Sequence, residues 1–339
     1  MVSIKEIAEK AGVSVSTVSR VINDKQNVNP EKRAKILQMV KATGYVPNRA
    51  ARDMVMKRSF TVGIIIPMTF NMFQRQLFSD IEHHLEEFGY HSSFYFVAMS
   101  QESETACLRR LKGEKTDGVI LLHEIELPEF HEYLETNDIP SVIATFEKEQ
   151  WKATSIHISE KEAACAAVNH LIMLGHKEIA LICGKRYSFG NQRWQGYMNA
   201  LEAAGISYDE KNVVFVDSYS IPDGMAGMKE LLDRKLSFSA LFAITDELAI
   251  GAMRYLEDQG YHVPGDISVV GCDDIEISSY TIPRLTTIRQ PVSEMGHMSV
   301  SMLHSLITSE SKMNVNIALP FTLIERESTA KPKKAKLLP

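Results

Sequence analysis

Cysteine is scarce in this sequence, and the four present (Cys107, Cys165, Cys183 and Cys272) are scattered among apolar neighbours. They fit no metal-ligand spacing and no disulfide framework, so free buried thiols in a reducing compartment are expected. No run of about 18 apolar residues occurs, which excludes a helix that crosses a membrane. The amino-terminus reads as a charged helix and not as a signal peptide, so a cytoplasmic location is expected. The reactive motifs are missing too: there is no G-x-S-x-G, no G-x-G-x-x-G and no G-x-x-x-x-G-K-[ST]. Eleven histidines form no H-E-x-x-H, and His83 and His84, being adjacent, are expected to face apart on a helix. Asp273-Asp274 could hold a cation but lacks further ligands. No catalytic residue, metal or cofactor is expected, so the chain should bind and not catalyse.

At 339 residues, 45% apolar and 24% charged, the sequence suits two or three globular domains. Its first 23 residues are the most informative. Ile4, Ile7 and Ala8 share one face of a short helix, and Gly12 supplies a sharp turn. Ser14 is placed to cap a second helix with Val18, Val21 and Ile22 inward. Val15, Ser16, Ser19 and Arg20 then face outward, small enough to enter a major groove, with Arg20 able to fork onto a guanine edge. Charge agrees with this reading. Residues 1–60 carry twelve Lys/Arg against five acids, a net +7, whereas the whole chain is −6 and the remainder therefore −13. A basic head on an acidic body is the pattern that phosphate binding by one end predicts.

Asn29-Pro30 should cap and start a third helix, with Ile36, Leu37 and Val40 inward and Gly44 at its end. From residue 61 the pattern changes to alternating strands and helices. Strand-like runs occur at 61–67, 93–98, 118–122, 141–145, 179–182, 213–216, 240–244 and 267–270. Parallel βαβ units in two halves follow, with ligand binding expected at strand carboxyl ends in the cleft between them. The end, TAKPKKAKLLP, is Pro/Lys-rich and expected to be disordered.

An ordered series of motifs runs through nearly the whole chain: IKEIAEKAGVSVSTVSRVIN, GYVPNRAAR, TVGIIIP, HLIMLGHKEIALICG, RWQGYMNALEAAGI, ALFAITDELAIGAMRYLEDQGYHVPGDISVVGCDD, PRLTTIRQP and LPFTLIERES. In these the chain resembles LacI/GalR-family transcriptional regulators. The resemblance implies an all-α helix-turn-helix head, a hinge helix, and an α/β periplasmic-binding-protein-like body of two doubly wound parallel-sheet subdomains. The implied boundaries are 1–47 for the head, 48–60 for the hinge, 61–330 for the effector-binding and dimerisation body, and 331–339 for the tail. Within the body, 61–160 and 291–318 form one subdomain and 161–290 and 319–330 the other, because the chain crosses back.

The family reading also implies site residues. Lys5, Ser14, Ser16, Thr17 and Asn23 anchor phosphates, while Val15, Ser16 and Arg20 read bases and Ser19 faces the groove. Asn48, Arg49 and Arg52 belong to the hinge, where Met54 stands in place of the usual leucine wedge. Arg193 corresponds to the arginine that clamps effector, and Thr245, Asp246, Asp273 and Gln290 lie at strand ends beside it. Asp and Thr there can equally be helix caps. Tyr219 is a candidate aromatic wall, and Phe70 and Phe73 line the cleft or join the core.

Three departures bear on the ligand. PMTFNMFQ replaces the family's PDxSNPFF, Ser159 stands where an aspartate is usual, and Thr245 where an asparagine is. The cleft should therefore be less polar than a simple sugar site. The implied function is a homodimeric repressor that acts at the nucleoid on palindromic double-stranded operator DNA, with no membrane partner, and that a sugar or sugar phosphate controls. A phosphorylated carrier protein docked on the N-terminal half is the alternative input, and a solute receptor the more distant one.

Overall fold

The computed structural model describes residues 2–22, 28–45, 58–146, 151, 153–184, 188–309 and 313–333. The chain forms two compact units, Met1–Phe60 and Thr61–Pro339. In the first, α1 (Ile4–Ala11) is capped by Ser3, whose side chain accepts from the Glu6 amide, and closed by Gly12 at φ 66°. Helix α2 (Val15–Ile22) and α3 (Pro30–Thr43) complete the head. Asn29 accepts from the Glu31 and Lys32 amides, Pro30 opens α3, and Gly44 ends it at φ 59°. Ile7, Ala8, Ala11, Val18, Val21 and Ile36 are buried together, with Ile22, Met39 and Val40 packed on them. Leu37 is the exception: expected inward, it is 47% exposed. Met39 takes the inward place, because the helical step from Ile36 returns to the same face at i+3 and i+4, not at i+1.

The second unit holds two six-stranded sheets. The first, in the order β11-β5-β4-β3-β1-β2, is wholly parallel. It comprises β1 (Thr61–Pro67), β2 (His91–Val97), β3 (Gly118–Leu121), β4 (Ser141–Ala144), β5 (Thr154–Ile158) and β11 (Asn316–Leu319). The second follows the order β12-β10-β9-β8-β6-β7. Its members are β6 (Ile179–Gly184), β7 (Val213–Val216), β8 (Ala240–Ala243), β9 (Ser268–Asp273), β10 (Thr286–Arg289) and β12 (Thr322–Ile324). Only β12 runs antiparallel to its neighbour there. Every strand-like run of the sequence is a strand, but β5, β10, β11 and β12 were not legible: they are short, and their polar residues break the apolar run. The chain passes between the sheets three times, after β5, after β10 and after β11, so each half is discontinuous.

Helices cover the sheets as βαβ crossovers demand. They are α4 (Met72–Glu87), α5 (Gln101–Gly113), α6 (Pro128–Thr136), α7 (Glu160–Leu174), α8 (Ser188–Ala203), α9 (Ile221–Asp233), α10 (Asp246–Asp258) and α11 (Val292–Thr308). On α4, His83 and His84 do not face apart as expected. His84 Nδ1 lies 2.8 Å and His83 Nε2 3.6 Å from the Glu87 carboxylate, which draws both long side chains to one side. Among the described residues no group of side chains has the geometry to hold a metal, and no helix is long and apolar enough to cross a membrane.

The beginning of the presumed disordered tail is also corrected. His170 Nε2 meets Thr329 Oγ1 at 2.9 Å, His176 Nε2 meets the Ala330 carbonyl at 2.9 Å, and the Ala330 amide donates to Ser268 Oγ at 3.0 Å. Composition could not reveal these long-range partners; residues 334–339 lie outside the described set.

Helices α9 and α10 pack backbone to backbone at two glycines. A Cβ on Gly251 would lie 2.0 Å from the Ile221 carbonyl oxygen, and one on Gly224 2.2 Å from that of Leu248. Neither contact can relax by a rotamer change, since both partners are main chain. Gly251→Ala should therefore cost about 1–3 kcal/mol as overpacking and lower the thermal unfolding midpoint by several degrees. Differential scanning calorimetry of the variant and wild type checks this, and an unchanged midpoint contradicts the packing argument.

Candidate functional site

The head presents one polar face. On α2, Ser14, Val15, Ser16 and Arg20 are exposed and Thr17 and Ser19 half-buried, while Lys5 is exposed on α1. Ser14 caps α2 as expected, its Oγ accepting from the Thr17 amide at 3.2 Å. The same oxygen lies 2.8 Å from both Ser16 Oγ and Thr17 Oγ1, so three hydroxyls converge at a helix N-terminus. Rotating hydroxyls that can turn an O–H outward, beside backbone N–H groups, suit a phosphate as donors. Asn23, Asn48, Arg49, Arg52 and Met54 lie outside the described residues.

In the body, a cavity of about 220 Å³ opens between the two sheets. Thr69, Phe70, Asn71 and Gln74 wall it from the first half; Ser218, Tyr219, Ser220 and Glu247 wall it from the second. Asn71 and Gln74 form a capping box at the start of α4, which fixes the loop that carries Phe70. The Phe70 ring stands edge-on to Phe78 at 5.7 Å. Tyr219 packs across Gly184, where a Cβ would come within 2.4 Å of its ring, so that glycine makes room for the aromatic wall. Phe73 is buried beneath the surface.

Behind Glu247 of the cavity wall, whose carboxyl feels the Asp273 charge, lies a buried ionic network. The Arg193 Nε donates to Glu160 Oε2 at 2.6 Å and its Nη2 to Asp273 Oδ1 at 3.1 Å, while Nη1 donates to the Ile244 carbonyl. Gln290 Nε2 donates to the same Asp273 oxygen at 2.8 Å, and Gln290 Oε1 is buried with no hydrogen-bond partner among the described residues. Asp273 and Asp274 both have positive-φ backbone, at φ 125° and φ 52°, which costs free energy. Neither carboxylate is open to a cation. Asp273 faces Arg193, and Asp274 is held by Arg289 at 2.6 Å and Arg326 at 2.5 Å.

Other predicted residues turn out to build the site from behind. Asp246 accepts from the Ile275 amide at 3.0 Å, Ser278 Oγ at 2.6 Å and Thr287 Oγ1 at 2.5 Å, so its acceptors serve the loop after β9. Thr245 caps α10 through the Leu248 amide and Ser159 caps α7 through the Glu162 amide. Sequence reasoning missed Glu160, Glu247 and His123. Glu160 follows a capping serine, where an acid reads as helix-dipole chemistry. Glu247 sits beside Asp246, whose place just after a strand-like run is the stronger local signal. His123, just past β3, is buried, and its Nε2 has no partner among the described residues.

Burial governs the protonation of these groups. It pushes Asp246 up to about 6, and with the Asp273 charge it pushes Glu247 up to about 7 against the Met72 amide and Arg75. Burial, with the Asp246 and Glu160 carboxylates, raises Asp273 as well, against Arg193. Burial holds His123 neutral, at about 4.

Comparison with known proteins gives the arrangement its place. Residues 3–48 match the family described as bacterial regulatory proteins, lacI family, and residues 168–329 match the periplasmic binding protein-like domain. The chain is 33% identical over 329 residues to the HTH-type transcriptional regulator RegA of Clostridium saccharobutylicum, covering 96% of this chain and 99% of that protein. The chain belongs to the LacI family. The lac repressor dimer bound to operator and the anti-inducer ONPF superposes with a TM-score of 0.87 at 29% identity, covering 97% of this chain and 99% of that one. The complex of the transcriptional regulator CelR with cellobiose gives 0.73 at 32% identity, covering 97% and 100%. This LacI-family chain is thus a DNA-binding transcriptional regulator and not an enzyme.

The raised carboxylates of this LacI-family body have a measurable consequence. A native carboxyl raised above its unfolded value binds its proton more tightly when folded, so its contribution to stability falls as pH rises through the interval between the two values. For Glu247 that interval runs from 4.5 to about 7. His123, His170 and His176, held neutral by burial, oppose this trend. Comparing wild type with Glu247→Gln cancels them. The melting temperature of wild type relative to the variant should rise as pH falls from 8 to 6, and a constant difference contradicts the assignment.

Proposed function

We propose that this regulator is a homodimeric repressor that acts in the cytoplasm, at the nucleoid, on a palindromic operator and is released or tightened by a small sugar or sugar derivative in the body's cavity. The observation that carries the reading is the cavity itself. Its walls come from both sheets, so a ligand that bridges them shifts the equilibrium between open and closed bodies. The neighbouring complex of CelR with cellobiose supports a sugar as ligand. Tyr219 and Phe70 offer apolar faces to a sugar ring, and Ser218 and Ser220, whose hydroxyls donate to Asp223, offer oxygen lone pairs to ligand hydroxyls. Ligand and operator are then coupled only as far as the ligand's affinity differs between the DNA-bound and free states, typically about 1–3 kcal/mol.

Dimerisation has support in exposed apolar side chains. Ile282 is 94% and Tyr280 74% exposed, and the edge strand β2 exposes Phe94 and Phe96. Such surfaces favour contact with a second chain, and the neighbouring lac repressor is a dimer. Control by a phosphorylated carrier protein docked on the N-terminal half is the alternative reading.

On the operator, Lys5, Ser14, Ser16, Thr17 and Asn23 hold phosphates, and Val15, Ser16, Ser19 and Arg20 face bases. Asn48, Arg49, Arg52 and Met54 complete the contact from the hinge. Selection of bound DNA from a random pool, repeated with neutral and phosphorylated sugars, tests the whole reading. A palindromic site whose recovery changes with one sugar is the expected result; no enriched site contradicts it. Arg20→Ala should then cost about 1–3 kcal/mol at one operator position and relax the base preference there. A uniform loss over all sequences would make Arg20 a phosphate contact.

A further inference from the structure

We propose that Glu160 is a built-in anion that fills the fork of Arg193 and thereby sets the class of effector: a neutral, donor-rich molecule, with phosphorylated and carboxylated sugars excluded. The inference rests on the proposed effector role of the cleft and concerns which chemistry that cleft accepts.

An arginine beside a cavity is ordinarily a receptor for an anion, because its planar fork pairs two N–H donors with two oxygens. Here the fork is taken. All three nitrogens of Arg193 are engaged by groups of the chain itself, two by carboxylates and one by a carbonyl. Arg193, Glu160 and Asp273 are each 5% exposed or less, so solvent screens the pairs only weakly. A ligand phosphate would have to displace Glu160 and leave that carboxylate buried without its partner, the costly way to break a buried ion pair.

The surrounding charge points the same way. Glu160 and Asp273 touch the one guanidinium, Asp246 and Asp273 act on each other, and Glu247 on the cavity wall feels Asp273. An incoming anion meets Glu247 on the wall and, behind it, a buried layer rich in carboxylates. Glu160 can reach the arginine because it is the first residue of α7, held in register by the Ser159 cap.

The open hydrogen-bonding capacity is independent of that charge and agrees with it. The Gln290 amide spends its donor on Asp273, and its buried Oε1, beside the network, accepts nothing among the described residues. Glu247 on the wall is likewise an acceptor when ionised. Such a surface calls for ligand O–H or N–H groups. A phosphate dianion brings only acceptors.

Trp194, adjacent to Arg193 and one of two tryptophans, gives the readout. The full-length protein and Glu160→Gln are each titrated with inorganic phosphate, with glucose 6-phosphate, and with a panel of neutral sugars that includes cellobiose, following tryptophan fluorescence and operator affinity. Wild type should respond to at least one neutral sugar and not to either phosphate. Glu160→Gln, folded by its melting curve, should respond to phosphate at least tenfold more tightly than wild type, since the amide no longer competes for the fork. Wild type responding to phosphate as well as the variant does overturns the proposal, and this arm needs no stable variant. Neutral-sugar responses in both proteins with no phosphate response in the variant overturn the role of Glu160 alone. Silence of both proteins toward every probe overturns the effector reading and the proposal with it.

Discussion

The body is organised around one buried guanidinium. Arg193 projects from α8 and joins Glu160 at the start of α7, the carbonyl of Ile244 after β8 and Asp273 at the end of β9. Four separate chain segments therefore meet at one cation, at the edge where the carboxyl ends of the second sheet approach the cavity. Two carboxylates for one guanidinium is an expensive arrangement to bury, and it persists only where each partner is hydrogen-bonded. Removing the guanidinium leaves two buried carboxylates uncompensated, typically at about 3–5 kcal/mol, whereas removing one carboxylate leaves a one-to-one pair. The strained backbone at Asp273 and Asp274 is held by the same ion pairs, together with Arg289 and Arg326.

Around that point the architecture is a matter of close approach. Gly184 admits the Tyr219 ring, and Gly271 leaves space for Asp246, whose Oδ1 would lie 2.3 Å from a Cβ there. Asp246 then ties the loop after β9 to Thr287 on β10. The wall of the cavity and its supporting layer are thus separate sets of side chains. Phe70, Tyr219 and Glu247 belong to the wall; Asp246, Thr245 and Ser159 set the backbone that presents it.

Legibility in the sequence tracked the range of the interaction. Ser14, Asn29, Gly12 and Gly44 act within four residues of themselves, and their caps were readable directly. Eight parallel strands announced themselves as apolar runs, most of them because they are buried on both faces; the edge strand β2, with Phe94 and Phe96 exposed, is the exception. β5, β10, β11 and β12 did not, since their place is set by partners far along the chain. His170 and His176 hold Thr329 and Ala330 across more than 150 residues, so a Pro/Lys-rich stretch that composition marks as disordered begins ordered. Leu37 failed for a smaller reason: an apolar residue one step round the helix from the core faces out.

By itself the sequence determined the helix-turn-helix head, its basic charge against an acidic body, the alternating body and membership of a regulator family, because caps, periodicity and charge are local properties. Tertiary structure alone decided what each acid and each strand-end residue does. Asp246 and Asp273 look alike in sequence, each following an apolar strand-like run. Yet one is spent on hydroxyls and an amide of its own fold, and the other on an arginine 80 residues away. Glu160 reads as an ordinary acid in a first helical turn, and only the fold delivers it to Arg193. The physical reason is that a carboxylate's role is fixed by the donors within about 3 Å of it, and those donors come from segments that meet only when both sheets are complete.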